Sequence, residues 1–422
     1  MILDSQPQNP QQRVSPRLAL GMLLAINLFN YIDRYVLAAV LVRIGDEMLS
    51  GDPSRGAKEG WLALSFLISY MVLSPLFGVL GDRFARWKLV GIGVILWSLA
   101  SGASGLAGSY WILLATRALV GVGEAAYGPV APTLIADLFP VERRGRVMSW
   151  FYMAIPVGSA LGYALGGQAD AHLDWRWGFY LVVPPGLLLG VLCFFMPEPA
   201  RAIRDKAHAK PRLSDYMELL RTPSYVWNTI AMAALTFAIG GIAYWMPTYL
   251  EGKAGTLSTV TTIFGIVTVI TGITATLLGG LVGDWLRKRV RGAYFIVSAA
   301  ALALAFPCLL LILSGHFPLA WTWLFLAEFF LFFNTGPSNT ALANVTRPQV
   351  RATAFAVNIL CIHAFGDAIS PVILGVLKDR AGGDLTTGFT VVGAVMLLGS
   401  VAWFIGARYL DRDTNRVLEG TA

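Results

Sequence analysis

The sequence predicts an all-α membrane protein of twelve transmembrane helices, arranged as two pseudo-symmetric six-helix bundles. Three observations carry this. Of 422 residues, 56% are hydrophobic and only 14% charged, and the mean hydropathy is +0.63, far from the usage of soluble domains. The apolar residues fall into runs of about 20, the length a helix needs to cross a hydrocarbon core roughly 30 Å thick. A short motif also occurs twice, 202 residues apart, once in each half.

The runs mark spans near 17–42, 60–81, 88–107, 110–137, 146–168, 177–196, 223–250, 258–282, 291–313, 318–345, 351–378 and 386–409. Met1–Arg17 is polar and rich in Pro and Gln, and no small-residue cleavage site follows the first run, so that run is expected to be a retained helix rather than a signal peptide. Residues 197–222 form the only long polar loop and divide a first bundle, 1–196, from a second, 223–422. Within the loop Leu213, Tyr216, Met217 and Leu220 recur at helical spacing, which predicts an amphipathic helix on the membrane surface. Cys193, Cys308 and Cys361 fall inside apolar spans without metal-ligand spacing and read as packed free thiols.

A formal charge of +7 is placed asymmetrically. Sorted over alternate loops, 23 of the 32 Lys and Arg lie on the side shared by both termini and 7 on the other. The positive-inside rule makes the first side cytoplasmic. Arg83, Arg86, Lys88 and the cluster Arg287, Lys288, Arg289 and Arg291 anchor it. Fixing topology accounts for these cations, and no nucleic-acid partner is implied.

Ionisable residues deep within spans are few: Asp33, Arg34, Arg117, Glu124, Glu328, His363 and Asp367. Each costs about 2.5–3.5 kcal/mol or more at the centre of a membrane helix, so each should meet a partner or a cavity. In span 1, Asn27, Asn30 and Arg34 share a stripe with Asp33 at its edge. In span 4, Arg117 and Glu124 are seven residues apart, on one face but about 10 Å apart along the axis. They cannot easily satisfy each other, so partners on span 1 are expected, with Gly121, Gly123 and Gly128 allowing close approach. Carboxylates beside arginines in a low dielectric are natural proton carriers, which makes Asp33 and Glu124 candidates for proton coupling. The competing reading is a static network that holds helices together.

In span 11, His363 and Asp367 are spaced i, i+4 and able to pair, either as a structural clamp or as a proton-sensitive switch. Glu328 stands alone amid aromatics, so it is either protonated and silent or met by a cation from another helix.

The repeated motif is GVLGDRFARWK, Gly78–Lys88, after span 2 and GLVGDWLRKRV, Gly280–Val290, after span 8. With it the sequence resembles the major facilitator superfamily, whose loop signature Gly-x-Leu-x-Asp-Arg-x-x-Arg is matched by Gly78, Leu80, Asp82, Arg83 and Arg86. The second copy keeps Asp284 but lacks the following Arg. The resemblance implies the major facilitator fold and a gating role for Gly78, Asp82, Arg83, Arg86 and Asp284. NYIDRYVLAAVL, RALVGVGEAAYGPVAPTLIADLFP, YWMPTYLE and His363-x-x-Gly366-Asp367-x-x-Ser370-Pro371-x-x-x-Gly375 narrow the resemblance to the spinster branch. The short N-terminus and compact loops point to a bacterial homologue. Spinster proteins are similar in carrying lysophospholipids and sphingoid lipids, which implies a secondary transporter moving an amphiphilic lipid by alternating access, coupled to protons.

A single-chain amphiphile needs an apolar slot and a fixed polar patch. Arg34 and Arg117 suit an anionic head group, since a guanidinium fork matches phosphate geometry. Phe29, Tyr31, Tyr127, Tyr244, Trp245 and Phe332 are the candidate slot residues. Rival cargoes are small organic anions such as sugar acids, or drugs, the latter on the GSALGYALGG run of span 5, for which close helix packing is the plainer account. No P-loop, GxSxG or HExxH occurs, so no enzyme, metal site or cofactor beyond a coupling proton is expected. The resemblance implies a monomer in the cell's inner membrane, with both termini cytoplasmic.

Overall fold

The computed structural model describes residues 15–139, 141–199, 219–315, 319–347 and 350–419. Most of the 197–222 linker, including Leu213, Tyr216 and Met217 of the expected amphipathic helix, lies outside the described residues; Leu220 lies in a short helical turn and is exposed. The first half contains α1 (Pro16–Met48), α2 (Arg55–Arg83), α3 (Arg86–Gly105), α4 (Tyr110–Ala125), α5 (Ala131–Leu138), α6 (Val141–His172), α7 (Arg176–Tyr180) and α8 (Val183–Cys193). The second contains α9 (Pro223–Leu250), α10 (Leu257–Arg287), α11 (Ala293–Leu313), α12 (Leu319–Phe332), α13 (Thr335–Asn344), α14 (Arg351–Ile362), a π-helical turn at His363–Asp367, α15 (Ser370–Arg380) and α16 (Thr386–Glu419). The three cysteines are free, Cys193 and Cys308 buried and Cys361 half-buried.

Ten helical stretches among the described residues are long and apolar enough to cross a membrane. With α4–α5 and α6 they make the twelve predicted crossings. Those two fall short for local reasons. The fourth crossing is interrupted at residues 126–130, where Pro129 and Pro132 remove amide donors and bias the residues before them away from helix. The fifth opens on the charged stretch VERRGR, and its remainder is diluted by Gly, Ser, Tyr, Gln and Asp.

Within the first half, α1 and α6 pack through a stripe of small residues. A Cβ on Gly162 would sit 2.6 Å from the Ile32 carbonyl oxygen, and one on Gly158 2.6 Å from the Tyr31 Cβ. The GSALGYALGG run is therefore a packing device. Gly162→Leu is expected to cost about 1–3 kcal/mol through overpacking, read as a lower melting temperature in detergent, whereas Gly21→Ala, with no atom within 4 Å of its new Cβ, should cost nothing.

The halves meet along α2–α15, α6–α10 and α1–α9. These meetings are concentrated on the side away from both termini. There the Asp379 carboxylate accepts from the amides of Gly56 (2.6 Å) and Ala57 (2.8 Å) at the start of α2. Lys378 Nζ binds Glu59 Oε2 at 2.7 Å, and Arg43 reaches Glu251 at 3.2 Å. The backbones touch where Gly375 opposes the Gly56 carbonyl; a Cβ there would meet it at 2.0 Å. Along α10 the stripe Thr261, Gly265 and Gly272 faces α6, and Gly272 against Pro156 marks mid-helix. Beyond that level, toward the termini, the side-chain hydrogen bonds and ion pairs found among the described residues stay within one half. Among the described residues the halves are fastened together on the far side, with no such fastening on the terminus side.

Candidate functional site

Four charges meet where α1, α3 and α4 converge, below the seal. Arg34 reaches Glu124 from two nitrogens, Nη2 at 2.5 Å and Nε at 2.7 Å, both to Oε2. Asp33, the neighbouring residue on α1, points into the bundle. Its Oδ1 accepts from Ser101 of α3, and its Oδ2 lies 3.7 Å from Arg117 Nη1. The pairing is crosswise: each helix supplies one acid and one base to the other. This is what the seven-residue separation of Arg117 and Glu124 demands, since α1 supplies partners at two levels of α4. Gly121 and Gly123 permit it. A Cβ on Gly121 would strike the Phe66 carbonyl of α2 at 2.2 Å, and one on Gly123 the Trp97 amide of α3 at 2.6 Å, so α4 is wedged tightly between two helices.

The two pairs differ in access. Arg117 and Asp33 are each 1% exposed, and the Arg117 guanidinium lies 5.7 Å from the Phe179 ring. Its Nε and Nη1 make no hydrogen bond among the described residues, and Oε1 of Glu124 makes none either. The Arg34 side chain keeps 21% of its surface exposed. Its guanidinium carbon sits 4.8 Å from the Phe66 ring centre, 5.1 Å from Tyr31 and 5.3 Å from Tyr70, an aromatic cradle that holds a cation by its ring faces. One accessible cation is thus backed by a buried acid, and a second, sealed pair lies behind it.

The predicted slot residues divide. Phe29, Tyr31 and Phe332 are half-buried, and Phe332 is close to Gly272 at the junction of the halves. Tyr127 belongs to the interior of the first half: it is buried and donates its hydroxyl to the Leu23 carbonyl at 2.8 Å. Tyr244 and Trp245 are corrected to the seal. Tyr244 Oη donates to the Glu59 carbonyl at 2.6 Å, and Trp245 Nε1 to the Pro371 carbonyl at 2.9 Å. Buried aromatics with a polar tip need a partner, and both find it in backbone at the closed end. Arg117, placed beside a head group by the sequence, is enclosed with Asp33 instead.

In the second half His363 Nδ1 and Asp367 Oδ1 are 2.9 Å apart, as their spacing predicts. The π-helical turn at His363–Asp367 was not legible in the sequence. Gly366 adopts φ −111°, ψ −107°, and a Cβ there would meet Thr236 Oγ1 of α9 at 2.1 Å. Thr236 also donates to the Ile362 carbonyl at 2.9 Å. π-turns of this kind frequently occur at functional positions.

The motif residues expected at the gate make their contacts within one half. Arg86 binds Asp137 at 2.5 Å and Glu198 at 2.8 Å; Arg83 is exposed; Gly78 has only Pro129 nearby, at 3.9 Å. Asp284 accepts from Tyr294 at 2.7 Å. The Asp82 side chain lies outside the described residues. Such intra-half pairing is what a terminus side parted from its partner requires. Sequence reasoning missed the far-side residues Glu59, Lys378 and Asp379, because they stand at helix ends where charges read as topology markers.

Comparison with known proteins agrees with this architecture. Residues 23–371 match the family model of the Major Facilitator Superfamily. The chain is 37% identical to spinster homolog 3 of Danio rerio, over 89% of this chain and 80% of that protein. It is 38% identical to spinster homolog 1 of Homo sapiens, over 86% and 73%, and 35% identical to the sphingosine-1-phosphate transporter SPNS2 of Danio rerio, over 86% and 76%. Its fold matches the crystal structure of a bacterial homolog of the human lysosomal transporter spinster in an inward-facing, occupied conformation, with TM-score 0.74, 20% identity and coverage of 96% and 97%. A D-xylose–proton symporter matches with the same TM-score at 18% identity, covering 92% and 96%, so the fold by itself does not distinguish cargo. The chain belongs to the major facilitator superfamily, in its spinster branch, and is a multi-pass membrane transporter.

Proposed function

We propose that the protein is a secondary active transporter of a single-chain amphiphilic lipid with an anionic head group, working by alternating access and coupled to protons. The observation that carries this is Arg34, the one member of the crossed pairs with appreciable exposure, set among Tyr31, Phe66 and Tyr70 and held by Glu124. A guanidinium on an aromatic cradle binds a phosphate or carboxylate while the rings receive the first methylenes of a chain. Protonation of Glu124 frees Arg34 for the head group, and Asp33 with Arg117 is the reserve pair behind it. The name of the relative SPNS2, a sphingosine-1-phosphate transporter, supports a phosphate-bearing amphiphile. On the positive-inside reading the parted side faces the cytoplasm of the cell membrane in which the protein sits, and the protein functions as a monomer.

The test is flux in vesicles. Purified protein should move lysophospholipids or sphingoid phosphates across the bilayer in response to a pH gradient, and Glu124→Gln should abolish the response to that gradient. Asp33→Asn should weaken it. Preference for a hexuronate over every lysolipid would replace this reading with that of an organic-anion carrier.

A further inference from the structure

Glu328 of α12 is a buried acid that the crossed pairs do not use and that has no cationic partner among the described residues. It is 4% exposed, and its side-chain hydrogen-bonding partners among the described residues are two hydroxyls of α10: Thr268 Oγ1, 3.2 Å from Oε1, and Thr271 Oγ1, 3.2 Å from Oε2. No Lys, Arg or His reaches it among the described residues. The titratable side chains of α11, which also packs on α12, are Tyr294, bonded to Asp284, and Cys308. From the facing half, Tyr35 of α1 and Tyr163 of α6 lie within electrostatic range of Glu328.

Counting protons assigns the state of this acid. A threonine hydroxyl has one proton to give. Thr271 gives its proton to the Val267 carbonyl at 2.7 Å, so toward Glu328 it offers a lone pair. Thr268 alone is left as a donor, one hydrogen bond for a carboxylate that wants several. An ionised carboxylate so poorly served in an apolar surrounding takes up a proton rather than remain charged. With a proton on Oε2 the network closes: Thr268 donates to Oε1, Oε2 donates to Thr271 Oγ1, and Thr271 donates to Val267. Every hydroxyl then has one acceptor, all running in one direction.

We propose that Glu328 is held as a neutral carboxylic acid in this conformation and is a proton-binding site of the second half, separate from the pairs of the first. Its position suits the task. Thr268 and Thr271 lie within the turn before Gly272, the mid-helix level at which α10 rests on Pro156 of α6. There the acid can exchange its proton with whichever side the halves open to as they rock. The protonation state stands on the hydrogen-bond count alone; its use in coupling rests on the transport reading above.

Two measurements test it. Infrared difference spectra of the protein in vesicles at neutral pH should show the carbonyl stretch of a protonated carboxylic acid that is lost in Glu328→Gln, shifted in Thr271→Val and retained in Asp33→Asn. Absence of any band lost in Glu328→Gln overturns the assignment. Glu328→Gln, which keeps an acceptor and a donor in the same shape, should lose lipid accumulation driven by a pH gradient while keeping gradient-free exchange; accumulation with the wild-type pH profile would overturn the coupling role. If the wild type moves no lipid, the transport reading fails while the infrared result still decides the proton.

Discussion

Asp33→Ala is expected to destabilise the first half by about 3–5 kcal/mol, the cost of leaving a buried cation without its counter-charge. Arg117 is 1% exposed and has no other carboxylate within ion-pair distance among the described residues. The Phe179 ring at 5.7 Å offers far less than an ion pair. The loss should appear as a lower melting temperature in detergent. Asp33→Ala combined with Arg117→Met should recover most of it, because replacing both members of a buried pair with apolar groups is often neutral or stabilising. A double variant as unstable as the single would mean that Arg117 is sustained by something other than Asp33. The same truncation at Glu124 should cost less stability and more transport, since Arg34 keeps access to water.

Lys378→Met should open the far-side seal. Glu59, 1% exposed, is held between Arg55 of its own helix at 2.7 Å and Lys378 of the other half at 2.7 Å. Removing one partner of a desolvated charge pair costs about 2–5 kcal/mol. Here the cost falls only on the sealed conformation, so the balance between conformations should move by roughly thirty- to several-thousand-fold toward far-side opening. Spin labels at Ser54 and Gly382, exposed on opposite halves of that side, should report a longer distance in the variant. A distribution identical to wild type would show that backbone contact, not the ion pair, fastens the seal.

Much of this was legible beforehand, and the remainder was hidden for definable reasons. Span positions followed from the length of apolar runs, and the two halves from a single polar break and the repeated Gly-Asp motif. That Arg117 and Glu124 need partners on α1 followed from helical rise alone. Which acid takes which base did not, because it depends on the rotation of α4 about its axis, fixed by Gly121 against α2 and Gly123 against α3. Tyr244 and Trp245 read as slot residues because an aromatic at a helix end looks the same in sequence whether it lines a cavity or closes one. Lys378 and Asp379 were visible only as an edge of a span. The small residues that let the backbones touch, Gly56, Gly60 and Gly375, were the available signal for a helix crossing there.

The carboxylate of Asp379 rests on the first free amides of α2, where the helix dipole favours a negative charge. Such a clasp differs from interlocked oil. When it lets go, the surfaces laid bare are amides, a carboxylate and an ammonium, all of which water hydrates readily. Electrolyte in that compartment therefore competes directly for the clasp.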